Sequence, residues 1–159
     1  MMHALQEILL GLFIVNLGTA FGAGLYETRI VLPLWFTRTA DGFAVNKQAM
    51  NELDTGRKFW GMVTTVPLTL LTIANLVMAL RSTEPRYDWW LAAALVVLAE
   101  RIATFAFFIP TALKLMRAET LPPANVSALV SRWSRLNLVR NALTLAGLVL
   151  AIRVLALPH

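Results

Sequence analysis

Four apolar segments, each long enough to cross the hydrocarbon core of a bilayer as an α-helix, dominate the sequence. They cover about residues 5–36, 59–80, 87–115 and 126–155. A helix needs about 20 predominantly apolar residues for this crossing. No alternation of polar and apolar residues is long enough for a membrane β-barrel, so helices are the remaining way to satisfy the backbone in lipid. The segments therefore predict an all-α integral membrane protein.

The connections between these segments are short, and they predict how the helices are arranged. With 159 residues, 58% of them hydrophobic and 14% charged, the chain is predicted to form one transmembrane domain over residues 1–159. Short connections favour antiparallel neighbours, which gives an up-down-up-down four-helix bundle. Pro85 interrupts the second connection, and Pro122 and Pro123 break the chain before the last segment.

The first connection, residues 37–58, is the longest, and its sequence leaves two structures open. Asp41-Gly42 is a turn signal. The second half, residues 46–58, mixes charged side chains with alanine, methionine and leucine. This half is predicted to form either a short surface helix or an extension of the second spanning segment.

The basic residues flank the apolar segments and predict an orientation. The net charge is +5, but it is scattered, which fits lipid headgroups and argues against a nucleic-acid partner. One side of the bundle carries eight basic residues: Arg38, Lys47, Arg57, Lys58, Lys114, Arg117, Arg132 and Arg135. The other carries Arg81, Arg86 and Arg153. The positive-inside rule then puts both termini outside, in a membrane such as the bacterial cytoplasmic (inner) membrane.

Residue usage argues against several cofactors. The chain has no cysteine, which excludes disulfides and thiolate metal sites. Its two histidines, His3 and His159, lie near the ends of the sequence. We therefore predict no haem, no metal site and no other cofactor inside the bundle.

Each spanning segment nevertheless carries a stripe of polar or small residues at helical spacing. Intramembrane polar groups are costly in lipid, so these stripes are predicted to face one another. The four stripes are Asn16, Thr19, Ala23, Tyr26 and Glu27; Thr65, Thr69, Thr72 and Asn75; Glu100, Thr104, Phe107 and Thr111; and Trp133, Asn137, Arg140, Asn141 and Thr144.

Three charged residues within these stripes are the strongest candidates for chemistry. Counted from the ends of their helices, Glu100 and Arg140 each lie about 20 Å deep, so they are predicted to be able to pair near the midplane. Arg101 is rotated away from the Glu100 face by about 100°. Glu27 lies nearer the side with eight basic residues. Charge pairs and amide hydrogen bonds can also simply hold helices together, so a structural role stays open for each residue.

Two short motifs resemble a known family, the anthrone-oxygenase-like proteins. They are Gly22-x-Gly24-x-Tyr26-Glu27 with Pro33-x-Trp35, and Trp133-x-x-x-Asn137-x-x-Arg140. The family consists of small four-helix membrane proteins, and some relatives are associated with oxidising anthrones to anthraquinones without a metal or flavin. The resemblance implies that Glu27 or Glu100 removes a proton from a phenolic substrate and that Arg140 and Asn137 stabilise the anion.

The predicted site is therefore a polar pocket in the half of the bundle with eight basic residues. Its catalytic residues are Glu27, Glu100 and Arg140, and its ligand-binding residues are Tyr26, Trp133, Asn137 and Asn141. Its predicted ligand is an apolar oxygenated aromatic or quinone-like molecule, and the function that the resemblance implies is that of a cofactor-independent anthrone-type oxygenase. The alternative is a non-enzymatic membrane subunit or carrier whose buried charges are structural. Gly18, Gly22 and Gly24 are compatible with a contact inside the bundle or with a homo-oligomer.

Overall fold

The computed structural model of the chain describes residues 2–40, 42–82 and 86–157. Within these ranges four helices are long and apolar enough to cross a membrane: α1 (His3–Trp35), α3 (Gly56–Arg81), α4 (Tyr87–Leu115) and α5 (Pro123–Ala156). Their ends differ from those of the predicted segments by three residues at most. The chain is an all-α integral membrane protein, which confirms the predicted fold class.

The four spanning helices pack as a ring. The most extensive contacts join α1 to α3, α3 to α4, α4 to α5 and α5 back to α1. Two apolar clusters fill the ring. One lies towards the termini and includes Leu10, Phe13, Leu68, Trp90 and Val154; we call this part the terminal half. The other lies towards the connection that follows α1 and includes Val31, Trp35, Phe108, Val130 and Trp133; we call it the hairpin half.

Two glycines let the helices approach closely. A Cβ atom on Gly24 would lie 2.2 Å from Oδ1 of Asn141, and one on Gly147 would lie 2.4 Å from Cγ2 of Val97. Small residues allow such contacts in lipid, where packing and hydrogen bonds drive helix association. Gly18 and Gly22 would meet nothing within 4 Å, so of these three glycines in α1 only Gly24 serves a contact inside the bundle.

A β-hairpin follows α1, and the sequence analysis did not predict it. Its strands are β1 (Phe36–Thr39) and β2 (Gly42–Val45), paired antiparallel with Phe36 opposite Val45. The turn residue Asp41 lies outside the described residues. Gly42 has a positive φ of 131°, which favours glycine, and a Cβ there would lie 2.2 Å from Oγ of Ser127. The hairpin thus packs closely against the start of α5.

A short helix, α2 (Lys47–Leu53), follows the hairpin, so the first of the two alternatives for this stretch is the observed one. The Asn46 side chain caps it by accepting a hydrogen bond of 3.0 Å from the Ala49 N–H. It ends where Asp54 adopts a left-handed conformation. A 3₁₀ turn, Ala118–Thr120, lies in the connection before α5. Lys47 Nζ bonds Oε1 of Glu119 in this turn at 2.5 Å and so joins α2 to that connection.

Three spanning helices leave α-helical geometry for π-helical turns, all in the hairpin half. The turns cover Glu27–Val31, Gly56–Thr65 and Thr104–Phe108, and the helices continue as α-helix over Leu32–Trp35, Val66–Arg81 and Ile109–Leu115. A proline, at position 33, 67 or 110, comes two residues after each turn. Proline has no N–H, and its ring collides with the carbonyl four residues earlier in a regular α-helix. A wider π turn before the proline relieves this collision.

One freed carbonyl has a replacement partner. Pro67 cannot bond the Val63 carbonyl, and Asn16 Nδ2 donates to that oxygen at 3.0 Å. The regular α-helical stretches elsewhere are Met2–Tyr26, which leads into the first π turn, Tyr87–Ala103 in α4 and the whole of α5. The irregular backbone is thus concentrated in one half of the bundle.

Candidate functional site

A cavity of about 530 Å³ lies in the hairpin half, between the four spanning helices. It extends from the middle of the bundle, at Ala20 and Thr144, to the junction of α2 and α3 at Asp54. Its walls are largely apolar and aromatic, with a few polar groups. The apolar and aromatic lining residues include Trp35, Trp60, Phe108, Ile109, Leu113 and Trp133. The three π turns all contribute lining residues, and such turns are frequent at functional sites.

An ion pair between Glu27 and Arg140 lies on the cavity wall. Arg140 Nη2 donates to Oε2 of Glu27, and the two side chains are 10% and 5% exposed. The Arg140 guanidinium lies between two rings, 4.5 Å from the centroid of Phe108 and 5.2 Å from that of Trp60. The pair therefore joins α1 to α5, while the rings that contact the cation come from α3 and α4.

Two asparagines of α5 fasten the same pair of helices. Nδ2 of Asn137 donates to Oγ1 of Thr28 at 2.8 Å. Nδ2 of Asn141 donates to the same hydroxyl at 3.1 Å and to the Gly24 carbonyl at 3.3 Å. Asn141 lines the cavity, whereas Asn137, predicted to bind ligand, is not among the lining residues. Its Nδ2 is used between helices, and its Oδ1 has no partner among the described residues.

Glu100 pairs with its neighbour Arg101, so the predicted pair between Glu100 and Arg140 is wrong. Nε of Arg101 donates to Oε2 of Glu100 at 2.5 Å, and Nη2 donates to Oε1 at 2.6 Å. Both side chains are buried and line the cavity. Arg101 follows Glu100 within the regular α-helical stretch Tyr87–Ala103, where neighbouring residues differ in direction by about 100°. Its long side chain nevertheless reaches back to the adjacent carboxylate and is buried inside the bundle.

Several hydrogen-bonding groups at the cavity have no partner within the described residues. They are Nε1 of Trp35, Nε1 of Trp133, Oγ1 of Thr55 and Nη1 of Arg101. Trp133 packs edge-on against Phe108, with centroids 5.3 Å apart, which fixes its ring without using its N–H. Buried donors of this kind are costly to leave unpaired.

Tyr26, also predicted to bind ligand, does not reach the cavity. Its side chain is 62% exposed on the outer surface of α1, and Arg29 is exposed as well. The buried face of α1 runs through Leu10, Phe13, Leu17, Ala20, Gly24, Glu27 and Val31. The predicted stripe on this helix was therefore placed about one residue off, and Glu27 is the member that faces inward.

The structure adds residues that sequence reasoning missed, chiefly Arg101, Trp60 and Trp35. Prolines inside three of the four apolar segments were the available signal, because they mark where regular helix fails. For metal ions, the described ranges hold no group of three or more His, Cys, Asp or Glu side chains that could bind one.

Comparison with known proteins gives one match. The family model described as anthrone oxygenase matches residues 54–150, which is more than half of the chain. The matched part contains Glu100, Arg101, Trp133 and Arg140 and begins after Glu27. No curated protein and no solved structure matches the chain.

Proposed function

We propose that the chain, which belongs to the anthrone oxygenase family, is a membrane enzyme that oxidises a flat, apolar, oxygenated aromatic molecule with O₂. The family match supports the proposed reaction class, and the cavity supports a binding site inside the bundle. The observation that carries the proposal is the aromatic-walled cavity of about 530 Å³ with two buried carboxylate–guanidinium pairs on its surface. Ligand sites are commonly apolar cavities of this size with a few fixed polar groups.

The proposed chemistry begins with a proton transfer. A carboxylate, Glu27 or Glu100, takes a proton from the acidic carbon or phenol of an anthrone. A guanidinium and indole N–H groups stabilise the charge that moves to the ligand oxygen. The electron-rich anion then reacts with O₂: the ring CH₂ becomes a carbonyl with one oxygen atom, and the other oxygen atom leaves as water.

Oxygen uptake is the direct test. The purified protein in lipid nanodiscs should accelerate O₂ consumption and quinone formation from a hydroxylated anthrone above the rate in empty nanodiscs. Glu27→Gln and Glu100→Gln remove one carboxylate each, and loss of the general base should lower the rate about 100-fold or more in at least one of them. Glu119→Gln, on the surface, is the matched control and should keep the wild-type rate. A wild-type rate equal to that of empty nanodiscs would reject the proposal.

The non-enzymatic alternative has one observation in its favour. Glu27, Arg140, Asn137 and Asn141 all make contacts between α1 and α5, which is what a purely structural role requires. This alternative predicts that wild type neither turns over nor binds hydroxylated ring systems. It also predicts that each substitution changes only stability.

For the orientation we propose that the hairpin half faces the cytoplasm of a bacterial cell and that both termini face outwards. The support is the basic residue count, with eight on the hairpin side and three on the other. Cysteines introduced at Asn51 and Arg81, both exposed, should react with impermeant thiol reagents from opposite sides of sealed vesicles. Labelling of both from one side would reject this topology.

A further inference from the structure

We infer that Glu100–Arg101, and not Glu27–Arg140, is the ion pair that acts on the ligand, with Arg101 binding a ligand oxygen. This inference rests on the proposed function and assigns the roles within it. The ligand class that it implies is a fused-ring hydroxy-ketone, which carries an oxygen able to accept a hydrogen bond and to hold negative charge.

The first reason is that the two pairs differ in what they connect. Glu27 and Arg140 lie on α1 and α5, so their attraction holds two helices together. Glu100 and Arg101 are adjacent in α4, and within the described part of the chain their only further partner is Thr104 of the same helix. A pair inside one helix adds nothing to the association of helices, so helix adhesion accounts for the first pair and leaves the second unexplained.

The second reason is the unused donor of Arg101. Nε and Nη2 are both occupied by Glu100, which fixes the plane of the guanidinium. Nη1 has no acceptor among the described residues, although the Arg101 side chain is only 7% exposed. Arg140, in contrast, is fixed by Glu27 and by two aromatic rings. Arg101 is thus a buried cation with its direction set and a donor left over.

The third reason is the capacity of Glu100 to take a proton. Its Oε1 accepts hydrogen bonds from Arg101 and from Thr104 Oγ1 at 3.0 Å, and its Oε2 accepts one from Arg101. An ionised carboxylate has about four lone-pair sites, so one remains. In the proposed step the ligand O–H or C–H bond breaks, Glu100 gains the proton, and the negative charge comes to rest on the ligand oxygen beside Arg101.

The experiment uses the full chain in lipid nanodiscs and a dihydroxyanthraquinone as the probe, since this molecule is already at the oxidation level of the proposed product and is not turned over. Ionisation of its phenol moves its visible absorption band to longer wavelength. We expect wild type to bind the probe with this shift. Arg101→Gln should weaken binding about 10- to 100-fold, as for loss of a charge-assisted hydrogen bond, and should abolish the shift. Arg101→Lys keeps the charge without the fixed donors, and it should retain part of the shift.

Matched variants separate this assignment from its competitors. Arg140→Gln should lower thermal stability while the folded fraction still shows the shifted band, and Arg153→Gln, an arginine at the terminal end of α5, should behave as wild type. Anthracene, which has no oxygen, should bind wild type and Arg101→Gln equally. If both Arg101 variants fail to fold, the inference is wrong, because the pair would then be structural.

Failure of the inference differs from failure of the proposed function. Wild type that binds no probe would reject both. Wild type that binds with the shift, together with an Arg101→Gln variant of unchanged affinity and spectrum and an Arg140→Gln variant without the shift, would reject only the inference. In that result the ligand role would pass to Arg140, and the proposed function would stand.

Discussion

Trp90 and Trp133 are buried tryptophans in opposite halves of the bundle, and their indole N–H groups are treated differently. Trp90 Nε1 donates to Oδ1 of Asn75 at 3.0 Å. The same Asn75 donates from Nδ2 to the carbonyls of Leu9 and Leu71, at 3.2 and 2.8 Å, so it joins α1, α3 and α4. Trp133 has no such acceptor within the described residues. The Trp90 N–H thus completes a hydrogen-bond network across three helices, whereas Trp133 borders the cavity.

The same contrast extends to charges and backbone. In the terminal half Arg86 pairs with Glu7 at 2.8 Å and lies over the Trp90 ring, 5.3 Å from its centroid. The described helices there are α-helical, and the core side chains are almost completely buried. The hairpin half combines π turns, a cavity and buried donors that have no acceptor among the described residues. The terminal half thus has the features of a part that stabilises the bundle, and the hairpin half is the part in which we propose that a ligand binds.

The largest loss of stability should come from Arg140→Gln, which leaves the buried Glu27 side chain without its guanidinium partner. We expect it to destabilise the folded bundle by about 3–5 kcal/mol, and the double change with Glu27→Gln to cost clearly less. Thermal unfolding in detergent of the wild type, the two single variants and the double variant gives the coupling energy. Purely additive losses would show that the pair does not hold α1 to α5.

An intermediate loss of stability is expected at Gly24, where α1 packs tightly against Asn141 of α5. The added methyl group in Gly24→Ala would collide with Asn141 and weaken its hydrogen bonds to α1, which should cost about 1–3 kcal/mol. Gly18→Ala, in the same helix but with open space around it, should be neutral or slightly stabilising because alanine restricts the unfolded chain. Equal unfolding temperatures for the two variants would contradict the close approach.

The smallest expected difference in stability is between variants of the two tryptophans. Trp90→Phe and Trp133→Phe remove similar volume, but only the first breaks a hydrogen bond and leaves Asn75 without its donor. We expect Trp90→Phe to be less stable than Trp133→Phe by about 1 kcal/mol, in line with hydrogen bonds between membrane helices. The order should reverse for dihydroxyanthraquinone binding, where Trp133→Phe loses a donor at the cavity. Equal losses of stability in the two variants, with probe binding unchanged in both, would contradict the difference between the two halves.

The spanning helices could be predicted from sequence because their physical requirement is simple. About 20 apolar residues must cover the hydrocarbon core, and the prolines and polar stretches between segments mark where each helix stops. The inward position of Glu27 followed from the cost of a carboxylate in lipid. The same reasoning failed for Tyr26, because a tyrosine can lie at the lipid surface at far lower cost than a buried charge.

The local partners could not be predicted in the same way. Glu100 had two arginines as candidate partners, Arg101 and Arg140, and the choice depended on Arg140 pairing with Glu27 of another helix. The hairpin was missed because Phe36 to Val45 is short and carries polar side chains, and its position depends on contact with Ser127 in a distant part of the chain. Sequence patterns thus located the charged residues that are costly to place in lipid, whereas their partners depend on the tertiary structure.

The π turns have a consequence for how the sequence can gain or lose residues during evolution. A π turn holds about one residue more than an α-helical turn, so each one amounts to an insertion accommodated without breaking the helix. Removing a single residue from Glu27–Val31 would return the turn to α-helical geometry, and the side chains after it, Trp35 among them, would keep their directions. The π turns therefore change which side chains within each turn border the cavity and leave the rest of each helix in phase.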